Sequence, residues 1–436
     1  MPKWGDHMHS EHFGRQAVFE RNESKVRSYC RSFDAVFRSA KGSFVQASGG
    51  EDYIDFLAGC GSLNYGHNDP DMKRALLDYV ERDGIAHGLD LYTDAKADFL
   101  EVFRRHVLDP RGLDHRVQFT GPTGANAVEA AMKLARKVTG RTNIIAFTNG
   151  FHGVTQGALA ATGNRGNRIG PVIPLAGVSR MPYDGYLGPQ IDTADLLDRM
   201  LGDASSGIDS PAAILLEAVQ GEGGLNAARP EWMRRVAAIA RAHGALLIVD
   251  EIQAGCGRAG GFFAFEQSGI VPDLVPMAKS LSGYGLPMAA LLIRPEIDVW
   301  KPGEHNGTFR GNQHAFVTAR VAIEKFWSDG AFEAEVARKA GIVHDGLARI
   351  AEQVPGSRLK GRGMMQGIDV RTGEMADAIC AAAFRDGLII ETSGPVGEVV
   401  KVLAPLTTPD EVLRRGLDIL ARAARTVAGQ RATAAE

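Results

Sequence analysis

Short apolar runs, each closed by a glycine or a polar residue, recur through the middle of this chain, and between several of them the apolar positions switch to helical spacing. Asn143 to Phe147, Ala213 to Glu217, Ala245 to Asp250, Leu274 to Met277 and Ala289 to Ile293 are too short for helices and apolar throughout, as a sheet covered on both faces requires. Val128, Ala131, Met132 and Ala135, and again Met233, Val236, Ala237 and Ala240, recur at i, i+3, i+4 and i+7, the stripe of a helix that buries one face. Strand and helix in alternation predict an α/β fold with a mostly parallel sheet. The 52 glycines fall repeatedly where such a strand gives way to a loop, which fits the same reading.

A chain of 436 residues exceeds the roughly 150 of an average domain. We expect a large domain over residues 60–330. A smaller α+β domain combines 19–59 with 331–436, where helical stretches (Ala331 to Val354, Glu374 to Arg385) bracket a strand, Met365 to Val370. Residues 1–18 read as a flexible polar tail. It carries His7, His9 and His12, which we do not read as a metal site, and lacks the apolar stretch of a signal peptide. No apolar run reaches the ~18 residues of a membrane span. The net charge of -3 gives no general attraction for nucleic acid or an anionic membrane, so small molecules and protein partners are the expected ligands. Cys30, Cys60, Cys256 and Cys380 lack the paired spacing of metal ribbons or disulfide scaffolds and fit a reducing cytoplasm.

Asp250 closes one apolar run, at the strand edge where α/β folds bind ligands. By itself it reads more simply as an aspartate satisfying loop amides. Lys279 follows a second run directly and precedes the glycine-rich Ser280-Leu281-Ser282-Gly283-Tyr284-Gly285. Most lysines are solvated surface charges, but burial beside small residues disfavours the ammonium form and makes an amine a usable nucleophile. Gly121-Pro122-Thr123-Gly124-Ala125-Asn126 precedes a helix starting near Ala127, whose free amides suit a phosphate. Phe151-His152-Gly153 and Glu217-Ala218-Val219-Gln220-Gly221-Glu222-Gly223-Gly224 could each be an ordinary loop. The order of all five elements, with the lysine downstream of the aspartate, carries more than any one of them.

In that order, Gly-Phe-His-Gly, Glu-Ala-Val-Gln-Gly-Glu-Gly-Gly, Val-Asp-Glu-Ile-Gln-Ala-Gly-Cys-Gly-Arg and Ala-Lys-Ser resemble the class III (omega) aminotransferases, which are pyridoxal phosphate enzymes of fold type I. The resemblance spans about residues 19 to 425. Within the family, Phe19-Glu20-Arg21 to Arg31-Ser32-Phe33, Leu63 to His67, Asn149 to Gly153, Ser282 to Met288 and the long run Trp300 to Asn312 are most similar to the 2,4-diaminobutyrate:2-oxoglutarate aminotransferases of ectoine biosynthesis.

The resemblance implies that Lys279 carries pyridoxal 5'-phosphate and moves the substrate proton, while Asp250 pairs with the ring nitrogen. It implies Phe151 as the ring stacked on the cofactor, His152 beside it, Gln253 at its phenolic oxygen and Glu217 in the supporting network. Gly124 and Ala125 fall at the phosphate loop, where many relatives have threonine at the second position. Thr308 is implied to reach the phosphate from the neighbouring subunit of a homodimer. Glu222 matches a carboxylate that pairs with an arginine in one half-reaction and releases it in the other. Lys401 stands at the arginine's position, either as a ligand of the substrate carboxylate or in another role, since lysine lacks the bidentate grip of arginine.

The expected reaction moves the terminal amine of L-2,4-diaminobutyrate to 2-oxoglutarate, or the reverse. An aminotransferase for another ω-amine (γ-aminobutyrate, ornithine, putrescine), an aminomutase on the same scaffold and a cofactor-free binding protein remain as rivals.

Overall fold

The computed structural model describes residues 16–170 and 173–435. The polar tail with its three histidines lies almost wholly outside them.

A seven-stranded sheet runs in the order Arg116–Phe119, Ala290–Ile293, Leu274–Met277, Leu246–Asp250, Pro211–Glu217, Asn143–Phe147, Val178–Met181. The last five strands are parallel to one another, and Ala290–Ile293 is antiparallel to both its neighbours. All five apolar runs are strands of this sheet. Val178–Met181 and Arg116–Phe119 are additional. Both are edge strands, partly exposed and interrupted by polar side chains, so neither presents the continuous apolar run that marks a strand buried on both faces.

On one face lies the helix Gly124–Thr139, whose Val128, Ala131, Met132 and Ala135 are buried as the spacing predicts. Its stripe of alanines brings the helix close to Ile144, Ile248 and Leu291 of the sheet, all in the same apolar cluster. The helix starts a turn earlier than expected, at Gly124, because Thr123 caps it, the Asn126 amide donating to its side chain, as an N-cap does. The opposite face is covered through a core that takes in Trp232, Met233 and Val236 of the helix Pro230–Ala242, Phe316 of the helix Gln313–Phe326, and Phe147 and Tyr183.

A second apolar core is built from the helices Ala331–Ala351, Gly373–Arg385 and Asp410–Ala435 around an antiparallel sheet ordered Arg358–Arg362, Met365–Asp369, Val399–Val402, Glu391–Ser393. Leu388–Ile389 pairs with Asp52–Asp55 of the N-terminal meander. The two ends of the sequence therefore share one sheet. The fully buried Arg258 pins the two cores together, donating to Asn64 Oδ1, Met364 O and Ala404 O.

Candidate active site

Parallel strands end on one edge of the sheet, so the residues that follow them gather there. Asp250 and Glu217 are register partners at the ends of adjacent strands, and Lys279 lies two residues past the next strand. A cavity of about 450 Å³ opens at this edge. Gly124, Ala125, Phe151, His152, Glu217, Glu222, Asp250, Gln253 and Lys279, singled out in sequence, all line it.

Asp250 is buried and its Oδ2 accepts from Nδ1 of His152 at 2.8 Å, while Oδ1 accepts from the Ile252 amide at 3.0 Å. A carboxylate has lone pairs for further donors, so Asp250 can still meet a cation from the cavity. Burial works against the imidazolium of His152, but the hydrogen bond and charge of Asp250 outweigh it and raise its pKa overall. Glu217 takes the Phe151 amide on Oε1 (2.9 Å) and the Gly221 amide on Oε2 (3.0 Å), tying two cavity loops together. Burial lifts its pKa to about 7, with the His152 charge opposing and Asp250 adding to the rise.

Lys279 stands half-buried with φ of 51°, opening a short 3-10 turn, Lys279–Ser282. A non-glycine residue in the left-handed region costs of order 1–3 kcal/mol and tends to mark a functional position. The next residue fixes that backbone. Ser280 Oγ donates to Gly61 O at 2.8 Å and accepts from the Asn64 amide at 3.0 Å. The segment it holds is itself strained, with Ala58, Gly59, Cys60 and Gly61 all at positive φ. That turn also aims Cys60 O at Gln253 Nε2, 3.0 Å away.

Gln253 Nε2 also donates to Glu222 Oε1 at 3.2 Å. Glu222 in turn is 3.0 Å from Nζ of Lys401, which lies 2.9 Å from Oε1 of Glu391. Lys401 is fully buried and does not line the cavity. Burial would release its proton, but the two carboxylates hold it, raising its pKa. Burial pushes Glu222 up, yet Lys401 and Lys279 together bring it below the usual carboxylate range. Thr308 is exposed on its loop, outside the cavity of its own chain.

The model for class III aminotransferases matches residues 27–424. This chain belongs to that family. It is 55% identical over 415 residues to a diaminobutyrate–2-oxoglutarate transaminase of Vibrio parahaemolyticus, covering 95% of this chain and 98% of the relative. The protein of the same name from Halomonas elongata is 57% identical over 408 residues, 92% of this chain and 97% of the other. Among solved structures, the ornithine aminotransferase of Toxoplasma gondii matches with a TM-score of 0.84 at 26% identity, over 99% of this chain and 100% of that one. The fold is accordingly that of the fold type I transferases.

Sequence reasoning assigned no role to Ser62, Ile252 or Leu286 to Met288 on the wall of this aminotransferase cavity, nor to Glu391 behind it. Ser62 adjoins a subgroup-like stretch and Leu286 to Met288 fall inside another, so a signal existed for them. Glu391, in Ile389-Ile390-Glu391-Thr392, has no local signal; only the pairing of its strand brings it opposite Lys401.

Proposed function

We propose that this aminotransferase carries pyridoxal 5'-phosphate on Lys279 and moves the terminal amino group between L-2,4-diaminobutyrate and 2-oxoglutarate, giving aspartate 4-semialdehyde and glutamate, or the reverse. The observation that carries the reading is the convergence of Lys279, Asp250, Gln253, Phe151 and a capped helix N-terminus on one cavity, in a chain matched along nearly its whole length by diaminobutyrate transaminases.

The residues fit the cofactor on physical grounds. Thr123 takes the Asn126 amide, which leaves the Gly124 and Ala125 amides at the positive end of the helix dipole as a seat for phosphate. Gly153 packs against Ala125 so tightly that an added Cβ would lie 2.7 Å from the alanine's own, so nothing larger than glycine fits there beside the helix N-terminus. Phe151 offers a ring face. Gln253 has a buried Oε1 with no partner among the described residues, so its amide has bonding capacity to spare.

When bound, the cofactor supplies an aldehyde that takes up an amine and a ring that accepts the electron pair released as the substrate carbon loses its proton. Lys279 would hold the cofactor and, once the substrate amine has displaced it, would serve as the base that lifts this proton from the substrate carbon and delivers it to the former aldehyde carbon, across the intervening nitrogen. Asp250, buried and braced by His152, keeps the ring nitrogen protonated, since a carboxylate in a dry site favours the paired cation. Glu217 holds the two loops that bound the ring. Glu222 lines the substrate end, with Lys401 paired to it from behind the wall.

The exposed Leu91, Tyr92 and Phe309 lie in segments joined by the His87 to Asn312 bridge, beside Thr308. That apolar patch suits a homodimer in which Thr308 of each subunit serves the phosphate of the other. Four free cysteines and the mild net charge support a cytoplasmic enzyme.

The test is the half-reaction of cofactor-loaded enzyme with a panel of amines. Diaminobutyrate should convert the cofactor's visible absorbance to that of its aminated form, and 2-oxoglutarate should restore it. A spectrum that responds to ornithine, γ-aminobutyrate or putrescine but not to diaminobutyrate rejects the substrate. Isomerisation without any keto acid makes the enzyme a mutase.

A further inference from the structure

Three charged side chains meet at the substrate end of the cavity, and they do not balance. Glu391 opens the strand Glu391–Ser393 directly across from Lys401 on Val399–Val402, and opposite charges so placed attract. Lys401 Nζ lies 2.9 Å from Glu391 and 3.0 Å from Glu222. Lys401 is withdrawn from solvent, Glu391 nearly so, and Glu222 is 30% exposed, facing the cavity. One ammonium therefore serves two carboxylates. The neighbouring Cys60 thiol, which donates to Glu391 at 3.3 Å, does not change the sum, since burial first and Glu391 second push its pKa up to about 11. The other cation near Glu222 is the amine of Lys279, which is committed to the reaction. Among the described residues no arginine lines the cavity.

We propose that Glu391, by taking up the charge of Lys401, leaves Glu222 as a standing negative charge on the cavity wall, so that the site selects amino donors bearing a second, non-reacting ammonium group. The proposal rests on the aminotransferase reading above and names the feature of the donor that the site recognises. A charge in a partly desolvated wall is screened far less than one in water, so an ammonium arriving beside Glu222 is attracted and a neutral methylene is not. Glu391 also pairs with Lys401 independently of Glu222, so a movement of Glu222 would not strand the buried ammonium.

The test compares kcat/KM within two pairs of donors that differ only by the α-ammonium: 2,4-diaminobutyrate against 4-aminobutyrate, and ornithine against 5-aminopentanoate. In the pair that the wild type uses, it should favour the diamino member. Glu391→Gln, which makes the cluster neutral, should reduce that preference about tenfold or more. The double variant Glu391→Gln/Lys401→Met leaves Glu222 as the sole charge and should restore the preference. Because each value is a ratio within one preparation, partial misfolding cancels. The proposal is overturned if Glu391→Gln slows both members equally, if the double variant discriminates no better than the single, or if the wild type shows no preference or uses neither pair. A wild type that prefers the ornithine pair rejects diaminobutyrate as the substrate, while the ratios in that pair still decide the role of Glu391.

Discussion

His152 and Asp250 are both nearly sealed from solvent and share one hydrogen bond of 2.8 Å, from Nδ1 to Oδ2. The imidazole fixes the rotation of the carboxylate, whose other oxygen is held by the Ile252 amide. A bond to a charged group contributes about 1.5–3 kcal/mol, or about a tenfold to hundredfold effect on whatever depends on it. His152→Leu is expected to weaken cofactor retention and kcat by that factor. His152→Asn, which keeps a donor near Nδ1, should recover most of it. Cofactor titration followed by steady-state kinetics measures both, and a leucine variant with wild-type retention and kcat would show that Asp250 needs no brace.

The same buried group of charges sets a pH dependence. Burial raises Glu217 from 4.5 to about 7, so between those values the folded protein binds a proton that the unfolded chain has released. Stability then falls as pH rises across that window. His152 is raised too, from 6.5, so its contribution is present below that value and is lost as pH climbs through its folded pKa. Both groups act in the same direction. A shift of this size corresponds to on the order of 3 kcal/mol across the window. Denaturant unfolding of wild type and Glu217→Gln from pH 4.5 to 8 should show a flatter profile for the variant, whatever its absolute stability, and parallel profiles would contradict the assignment.

Among the described residues, Arg258 has no carboxylate within hydrogen-bonding distance. Its guanidinium is instead shared among Asn64 Oδ1 and the carbonyls of Met364 and Ala404. Arg258→Met would leave these buried acceptors without donors, at about 1–3 kcal/mol for each group left unmet. We expect a loss of about 3–5 kcal/mol in unfolding free energy. Because Asn64 also holds Ser280 beside Lys279, activity should decline at temperatures below the melting transition. Arg258→Lys should rescue little, since one ammonium cannot span three acceptors in the fork geometry.

What could be read in advance follows from how local each feature is. The apolar runs and the stripes of Val128 to Ala135 and Met233 to Ala240 are imprinted within a few residues, and the structure returns them as strands and helices. Asp250 and Lys279 were legible because strand ends converge on one edge of a parallel sheet. Arg116–Phe119 and Val178–Met181 were not, because an edge strand needs only one apolar face. Glu391 was hidden for a different reason. It lies 169 residues from Glu222 in sequence (391 - 222), and no periodicity records that a hairpin of the second sheet will place it beside Lys401. The strained turn at Ala58 to Gly61 was equally hidden, since positive φ at Ala58 and Cys60 runs against what those residue types prefer.

Gly153 joins the conformational and the chemical sides of the site. Its φ of 123° is one that side chains other than hydrogen rarely adopt, and a Cβ there would stand 2.7 Å from the Cβ of Ala125 and 3.2 Å from that of Ala158. Gly153→Ala must therefore both distort its own backbone, at about 1–3 kcal/mol, and push the first turn of the helix Gly124–Thr139 away from the cavity. Ala125 has no hydroxyl to offer a phosphate, so at that position only the amide remains to suffer from the displacement. The variant should bind pyridoxal phosphate at least about tenfold more weakly, yet retain most of its kcat at saturating cofactor, because Lys279, Asp250 and Gln253 hang from other elements. Equilibrium binding and kinetics at several cofactor concentrations separate the two effects. A variant with full affinity for the cofactor would show that the phosphate is held elsewhere than at this helix.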